Sequence, residues 1–318
     1  MKTITSSLEL THYPVMLSEI IQICSPKKGD IFVDCTFGAG GYSKKILQFP
    51  KTKVIALDRD SAVISIAKKL EEDFQNRFKF FQIKFSQIHK VLKKKEVDII
   101  IFDLGLSSIQ LNNLNRGFSF KSKDNLDMTM GLTNISAKEV INNLSQNELK
   151  TIIKTFGEEK EASVIAKNIV KERSKKKIVR VDELVKIIEK SKKKNFATKI
   201  NPSTKTFQAL RIFVNKEVSE LLNGIIKATQ FLKPGGKIII VSFHSIEDKI
   251  VKYFFKNFSH NRSKPSRYFP ETDEKLTLFE KYYNKVIKPS SKEVIKNFPS
   301  RSAKLRFATR NKNKFIYP

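Results

Sequence analysis

Short apolar runs alternate with helically spaced stripes through the first hundred residues. Ile31-Phe32-Val33 ends at Asp34, Val54-Ile55-Ala56-Leu57 ends at Asp58, and Lys79-Phe80-Phe81-Gln82-Ile83 forms a weaker third run. Val97-Asp98-Ile99-Ile100-Ile101-Phe102 ends at Asp103 and is apolar almost throughout, which predicts a strand covered on both faces. Ala62, Ile66, Ala67 and Leu70 recur at helical spacing between the second and third runs, so the segment reads as βαβ units building a parallel sheet.

After Asp103 the pattern changes. A stretch rich in Gly, Ser and Asn runs from Leu104 to about Thr133, followed by helix starts. Ser136-Ala137-Lys138-Glu139 and Ser145-Gln146-Asn147-Glu148 read as capping boxes, because a hydroxyl and a carboxylate three residues apart can satisfy free amides reciprocally. Leu149, Ile152, Ile153 and Phe156 make one face, stopped by Gly157. Asp182 is expected to cap a helix carrying Leu184, Val185, Ile187 and Ile188, with Ser191–Asn195 as its frayed end. The sheet pattern resumes with the stripe Leu221, Leu222, Ile225, Ile226, the turn Lys233-Pro234-Gly235-Gly236 and the strand Lys237–Val241. Lys304–Ala308 reads as a last strand, while 257–299 is polar, Pro-punctuated and expected to be irregular.

Charge changes the picture. The 61 basic and 32 acidic residues give +29, which makes a polyanion the leading class of partner. Between Lys150 and Ile200 there are 16 basic and 7 acidic residues, so nearly a third of the excess sits on about a sixth of the chain, within the helical segment. Two cysteines, Cys24 and Cys35, make no disulfide framework, and no Cys/His cluster suggests a metal site. With no apolar run long enough to span a bilayer and no secretory core at the start, a cytoplasmic protein without a membrane association is expected.

The strongest candidate chemistry lies in Asp34-Cys35-Thr36-Phe37-Gly38-Ala39-Gly40-Gly41, where glycines beyond a strand let backbone approach a ligand closely. Asp58 ends the next strand, where a carboxylate can accept both hydroxyls of a ribose. A dinucleotide fingerprint would need a third glycine where Ser43 stands, and a phosphate loop would need Gly-Lys-Ser/Thr where Tyr42 follows Gly41. The remaining spacing, Asp-x-x-x-Gly-x-Gly, is similar to that of methyltransferases acting on exocyclic amines and points to S-adenosylmethionine. Asp103, in Asp103-Leu104-Gly105-Leu106-Ser107-Ser108, faces the same crevice, where it could hold the cofactor, and Asp103 or a carbonyl of Leu104–Leu106 is the candidate acceptor of an amino proton.

Several segments together resemble the ribosomal RNA small subunit methyltransferase H family (RsmH, formerly MraW). They are His12-Tyr13-Pro14-Val15-Met16, Asp34 to Ser43, Leu57-Asp58-Arg59-Asp60, Asp103 to Ser108, Arg116-Gly117-Phe118-Ser119-Phe120, and Leu126-Asp127-Met128. Further along come Thr155-Phe156-Gly157-Glu158-Glu159, Thr206-Phe207-Gln208-Ala209-Leu210-Arg211-Ile212 and Ser242-Phe243-His244-Ser245-Ile246-Glu247-Asp248. The resemblance implies a Rossmann-like α/β methyltransferase sheet over 1–112 and 209–318, interrupted by a basic, all-helical substrate-recognition domain over 113–208. It implies transfer of a methyl group from S-adenosylmethionine to N4 of a decoding-centre cytidine in 16S rRNA of the small ribosomal subunit. Cofactor contacts then fall on Gly38, Gly40, Gly41, Tyr42, Asp58, Phe85, Asp103 and Gln110. Tyr42 stands where the family commonly has histidine, and Ile109 where it has proline.

A base presented to such a site must leave its stack, so Phe118 and Phe120 with Arg116 are candidates to hold it. Arg211 is a candidate phosphate contact, His244 a candidate substrate contact, and His12 a residue near the cofactor. Two other readings stay open: an amino-methyltransferase acting on adenine N6 or on DNA, and a non-catalytic rRNA-binding assembly factor.

Overall fold

In the computed structural model, described for residues 13–93, 96–192, 201–259, 277–280, 282 and 284–315, six strands form one sheet. They are β1 (Ile31–Asp34), β2 (Lys53–Asp58), β3 (Phe78–Gln82), β4 (Val97–Asp103), β5 (Leu232–Ser242) and β6 (Lys304–Thr309), in the order β3-β2-β1-β4-β5-β6. The first five pair in parallel and β6 runs antiparallel to β5 along the edge. All six apolar runs of the sequence are therefore strands. The expected turn at Lys233–Gly236 lies within β5 as a register break. Leu232 pairs with Val97, and pairing resumes at Lys237 opposite Ile99.

Helices cover both faces: α1 (Leu17–Cys24), α2 (Gly41–Leu47), α3 (Ile64–Asp73), the short α4 (Ser108–Asn112), then α5 (Ala137–Asn143), α6 (Gln146–Gly157), α7 (Ala162–Arg173), α8 (Val181–Ser191), α9 (Thr204–Asn215), α10 (Glu217–Phe231), α11 (Ser245–Asn257) and α12 (Ser291–Lys296). One core packs Val33, Ile100, Phe102 and Ile238 against α10 and α11. A second packs Phe32, Ile99, Ile101 and Ile239 against α1, α2 and α3. The alternation of neighbouring residues between these cores is the consequence of a strand buried on both sides.

A third core is helical, holding Val140, Leu149, Ile153, Ile165, Ile169, Leu184 and Ile188 from α5 to α8. It also takes Phe207, Leu210 and Val214 from α9, so the boundary expected between 208 and 209 falls inside a helix whose apolar side continues the helical core. Both capping boxes form: Ser136 and Ser145 cap α5 and α6, each answered by its glutamate. Asp182 does not cap α8. The amides of Val179 and Arg180 donate instead to Glu183 Oε2, at 2.9 and 3.0 Å, and Asp182 pairs with Arg180 and Lys186.

Two polar joints fasten the helical core to the sheet. The Arg59 guanidinium, beyond β2, donates to the carbonyls of Gly131 (2.9 Å) and Asn215 (3.0 Å), while the Asn215 amide donates to Met128 O. At the end of α6, Glu158 accepts from Ser245 Oγ and from Lys249 Nζ (2.7 Å) on α11.

Candidate active site

Between β1 and β4 the order of strands reverses, and in an open parallel sheet that reversal leaves a crevice beyond the strand tips. Asp34, Asp58 and Asp103 end β1, β2 and β4 around it. The loop after β1 is shaped by Asp34, which is fully buried and accepts from Ser43 Oγ (2.7 Å) and Thr36 N–H (3.3 Å). Burial pushes its carboxyl up to about 6. Gly38 N–H then donates to Asp58 Oδ2 at 2.8 Å, and Asp60 N–H to Oδ1 at 2.9 Å, so Asp58 is oriented by two amides.

The glycines do distinct work. Gly40, at φ +76°, starts α2 from a left-handed backbone that a side chain would strain. A Cβ on Gly41 would lie 2.1 Å from Pro14 Cγ, so the N-terminal segment crosses directly over this loop.

The cavity so formed encloses about 330 Å³, in the range of small-molecule sites. Of the expected cofactor residues, Gly38, Gly41, Tyr42, Asp58, Phe85, Asp103 and Gln110 line it; Gly40 stands behind as the hinge of α2. Phe85 is set edge-on against Phe102, with ring centroids 5.3 Å apart. The Gln110 carboxamide is turned away to Asp60 Oδ2 (2.9 Å) and to the amide of Ser107, whose hydroxyl caps α4. Ile109 sits in the first turn of that helix, where proline would also be compatible.

Asp103 is the most constrained acid. Its Oδ1 accepts from Gly105 N–H (3.2 Å), and its backbone amide donates to Thr36 Oγ1 (2.7 Å). Burial raises its carboxyl to about 6, and the charges of Asp34 and Glu247 push the same way. The Tyr42 hydroxyl lies 2.5 Å from Val15 O and 3.1 Å from Asp103 Oδ2. One hydroxyl carries one proton, and the carbonyl can only accept. The tyrosine can therefore donate to one of them at a time, and where it turns to Asp103 it favours the ionised carboxylate. Asp58 is raised to about 6 as well, again by burial.

The residues expected to hold substrate are mostly engaged elsewhere. Arg116 Nη1 pairs with Asp60 Oδ2 at 2.6 Å and Nη2 donates to Thr129 O. Phe118 is 7% exposed within the helical core, and Phe120 packs edge-on against Phe207. Arg211 makes a two-pronged pair with Glu217, at 2.8 and 2.9 Å. Although burial works against its charge, Glu217 and Glu247 hold the guanidinium more firmly protonated than a free one. In this structure Arg211 is thus engaged by the charges of two glutamates. His244 starts α11, its Nδ1 accepting from Glu247 N–H (3.4 Å). His12, Lys193 and Lys194 lie outside the described residues, and Lys192 pairs with Glu159 at 2.6 Å.

Three acids that sequence reasoning did not single out, Glu217, Glu220 and Glu247, line the cavity with Asp103. Glu247 Oε2 accepts from the amides of Phe243 (2.8 Å) and His244 (3.3 Å), while Oε1 stands 3.0 Å from His244 Nε2. Ligand atoms of Glu217, His244 and Glu247 fall within 4.8 Å of one another, a spacing that would suit a cation. Arg211 already supplies positive charge there, and an Nδ1 that accepts leaves the proton on Nε2, so the cluster reads as a charge-compensated wall.

A sequence profile of the MraW methylase family matches residues 9–311. The chain belongs to that family. It is 45% identical over 300 residues to a ribosomal RNA small subunit methyltransferase H of Ehrlichia canis, covering 93% of this chain and 98% of that one. It is 42% identical over 303 residues to the protein of the same description from Rickettsia akari, covering 94% of this chain and 98% of that one. For a MraW methylase the cavity at the strand tips is the region where its chemistry is to be sought.

Proposed function

We propose that this chain methylates the N4 amino group of a decoding-centre cytidine in 16S rRNA, taking the methyl group from S-adenosylmethionine in the cytoplasm. The observation that carries this reading is the cavity at the tips of β1, β2 and β4 in a member of the MraW methylase family. Its wall suits that cofactor. Asp58, held by two amides, offers oxygens to ribose hydroxyls, and the open space beside Gly38 lets a ligand approach the backbone. Asp58, Asp103, Glu217, Glu220 and Glu247 set five carboxyl groups in the lining against Arg59, Lys84 and Lys296, a balance that favours a cationic cofactor over a phosphate one.

When bound, the cofactor supplies an electrophilic methyl group on a sulfonium. The chain's own residues have to hold the amine and remove its proton. A cytosine amino group is a poor nucleophile, because its lone pair is delocalised into the ring. Fixing it in line, about 3–3.5 Å from the methyl carbon, lowers the entropic part of the barrier. Asp103 is assigned as acceptor of the amino proton, since a carboxyl near 6 is ionised at neutral pH yet still basic enough to take one.

The RNA contact is assigned to the helical part. Lys171, Lys175, Lys176, Lys177, Lys186 and Lys190 line a groove of about 360 Å³ between α7 and α8, within a chain of net charge +29. Such a surface attracts phosphates without reading sequence. Among the described residues no helix is long and apolar enough to cross a membrane.

Small ribosomal subunits lacking the modification, incubated with the protein and labelled S-adenosylmethionine, should yield N4-methylcytidine on nucleoside analysis. Methyladenosine, or RNA that is bound but never methylated, would overturn the reading.

A further inference from the structure

With Phe118 buried, Phe120 half-buried against Phe207 and Arg116 paired to Asp60, a more open aromatic surface for single-stranded RNA is to be sought elsewhere. The mouth of the cavity offers one. Its lining includes Tyr13 together with Lys296, Asn297 and Pro299, so the first described residues and the α12 region share a rim. The two segments are tied together. Asn297 Nδ2 donates to Tyr13 O at 3.1 Å, and Met16 N–H donates to Glu293 Oε1 at 2.6 Å.

Three large apolar side chains in these segments are left in solvent: Tyr13, which lines the cavity, at 49%, and Ile295 and Phe298, next in sequence to the lining residues Lys296, Asn297 and Pro299, at 84% and 63% exposure. A single exposed apolar residue means little, but three beside one pocket mark a contact surface. Cations accompany them. The Arg301 guanidinium lies 4.2 Å from the centroid of the Phe298 ring, and Lys292 and Lys296 are exposed on α12. The nearest acid on that helix, Glu293, is engaged by the Met16 amide. Aromatic rings with flanking cations at the entrance of a pocket fit an unpaired base and its phosphate: every base has a face to stack, and the cations meet the backbone.

We propose that Phe298, with Arg301 above it and Tyr13 on the same rim, stacks an unpaired nucleotide adjacent to the target cytidine, so that the target turns into the cavity. This rests on the methyl-transfer reading for its substrate. Stacking on one side chain corresponds to about 5- to 150-fold in affinity.

The test uses the full chain with small subunits for kinetics, and a short RNA carrying 2-aminopurine beside the target position for binding. Phe298→Leu keeps apolar bulk without the ring; Phe298→Trp restores a ring. The leucine variant should raise KM for RNA at least 5-fold and abolish quenching of 2-aminopurine, with S-adenosylhomocysteine affinity unchanged and both effects recovered by tryptophan. Wild-type KM and quenching in Phe298→Leu would overturn the platform. So would a variant whose only change is loss of self-association, which would make the rim a contact between copies of this chain. If the wild-type protein quenches the probe but methylates nothing, the platform stands and the methyl-transfer reading fails.

Discussion

Cofactor affinity should fall steeply below pH 6, because two of the carboxyls that line the cavity, Asp58 and Asp103, are both raised to about 6 by burial. In the unfolded chain each titrates near 4. Without a ligand, the fold therefore gains stability from their protonated forms below about pH 4 and loses that gain as pH rises through 6. A cationic ligand reverses the preference, since it binds the ionised acids and lowers their pKa. At pH 5 a group of pKa 6 is about nine-tenths protonated, so ionising it for the ligand costs about 1.4 kcal/mol, roughly 10-fold. Two such groups give roughly 100-fold between pH 7.5 and pH 5. Calorimetry with S-adenosylmethionine at pH 7.5, 6 and 5, in buffers of differing ionisation enthalpy, reads both the affinity and the protons released, about one in total at pH 6. Asp103→Asn should reduce the loss at pH 5 to roughly 10-fold and leave Asp58 as the sole titrating group. Because the same shifts favour the ligand-free fold at pH 5, the loss should occur without unfolding by circular dichroism. An affinity that stays flat down to pH 5 in folded protein would refute the argument.

Two further outcomes are expected. Gly41→Ala forces a Cβ to within 2.1 Å of Pro14 Cγ, in a ring that cannot rotate away, and should cost about 1–3 kcal/mol in denaturant unfolding along with at least 10-fold in cofactor affinity. Wild-type values for both would mean that the N-terminal segment does not close on the loop. The triple variant Lys171→Gln, Lys177→Gln, Lys190→Gln should weaken RNA binding at low salt and flatten its salt dependence, by about 0.7–0.9 in log–log slope for each phosphate no longer neutralised. S-adenosylhomocysteine affinity should be unchanged, and an unaltered salt slope would remove the groove between α7 and α8 from the RNA path.

What was legible in the sequence was whatever a local pattern encodes. An apolar run ending in aspartate marks the tip of a buried parallel strand, and three such tips, with glycines after the first, mark out the crevice. Ser136 and Ser145 announced their helices because capping needs only residues three apart. What stayed hidden depends on partners far along the chain. Arg116 could be aimed at RNA or at an acid, and only folding reveals Asp60, 56 residues away. Arg211 reads from sequence as a candidate phosphate contact, and the bend between α9 and α10 brings Glu217 against it. Glu247 was within reach of local reasoning, since His244-x-x-Glu247 has the spacing of a capping box with an unusual cap residue. The aromatic rim was not: Tyr13 is brought beside the segment that carries Phe298 by its bond to Asn297, 284 residues away, and no window of sequence contains both.

The charge distribution then acquires a meaning that the total of +29 lacks. Lysines line the groove of the helical part, while Asp58, Asp103, Glu217 and Glu247 line the cavity. On the proposed reading a polyanion is drawn to the lysine-rich groove, while the cavity carboxyls, set against Arg59, Lys84 and Lys296, are left to face the cationic cofactor. Glu217 and Glu247 remain tolerable at that depth only because Arg211 is buried with them. The arginine thus serves the site from behind the wall, keeping the cavity acidic enough to hold a sulfonium without leaving two uncompensated charges in the fold.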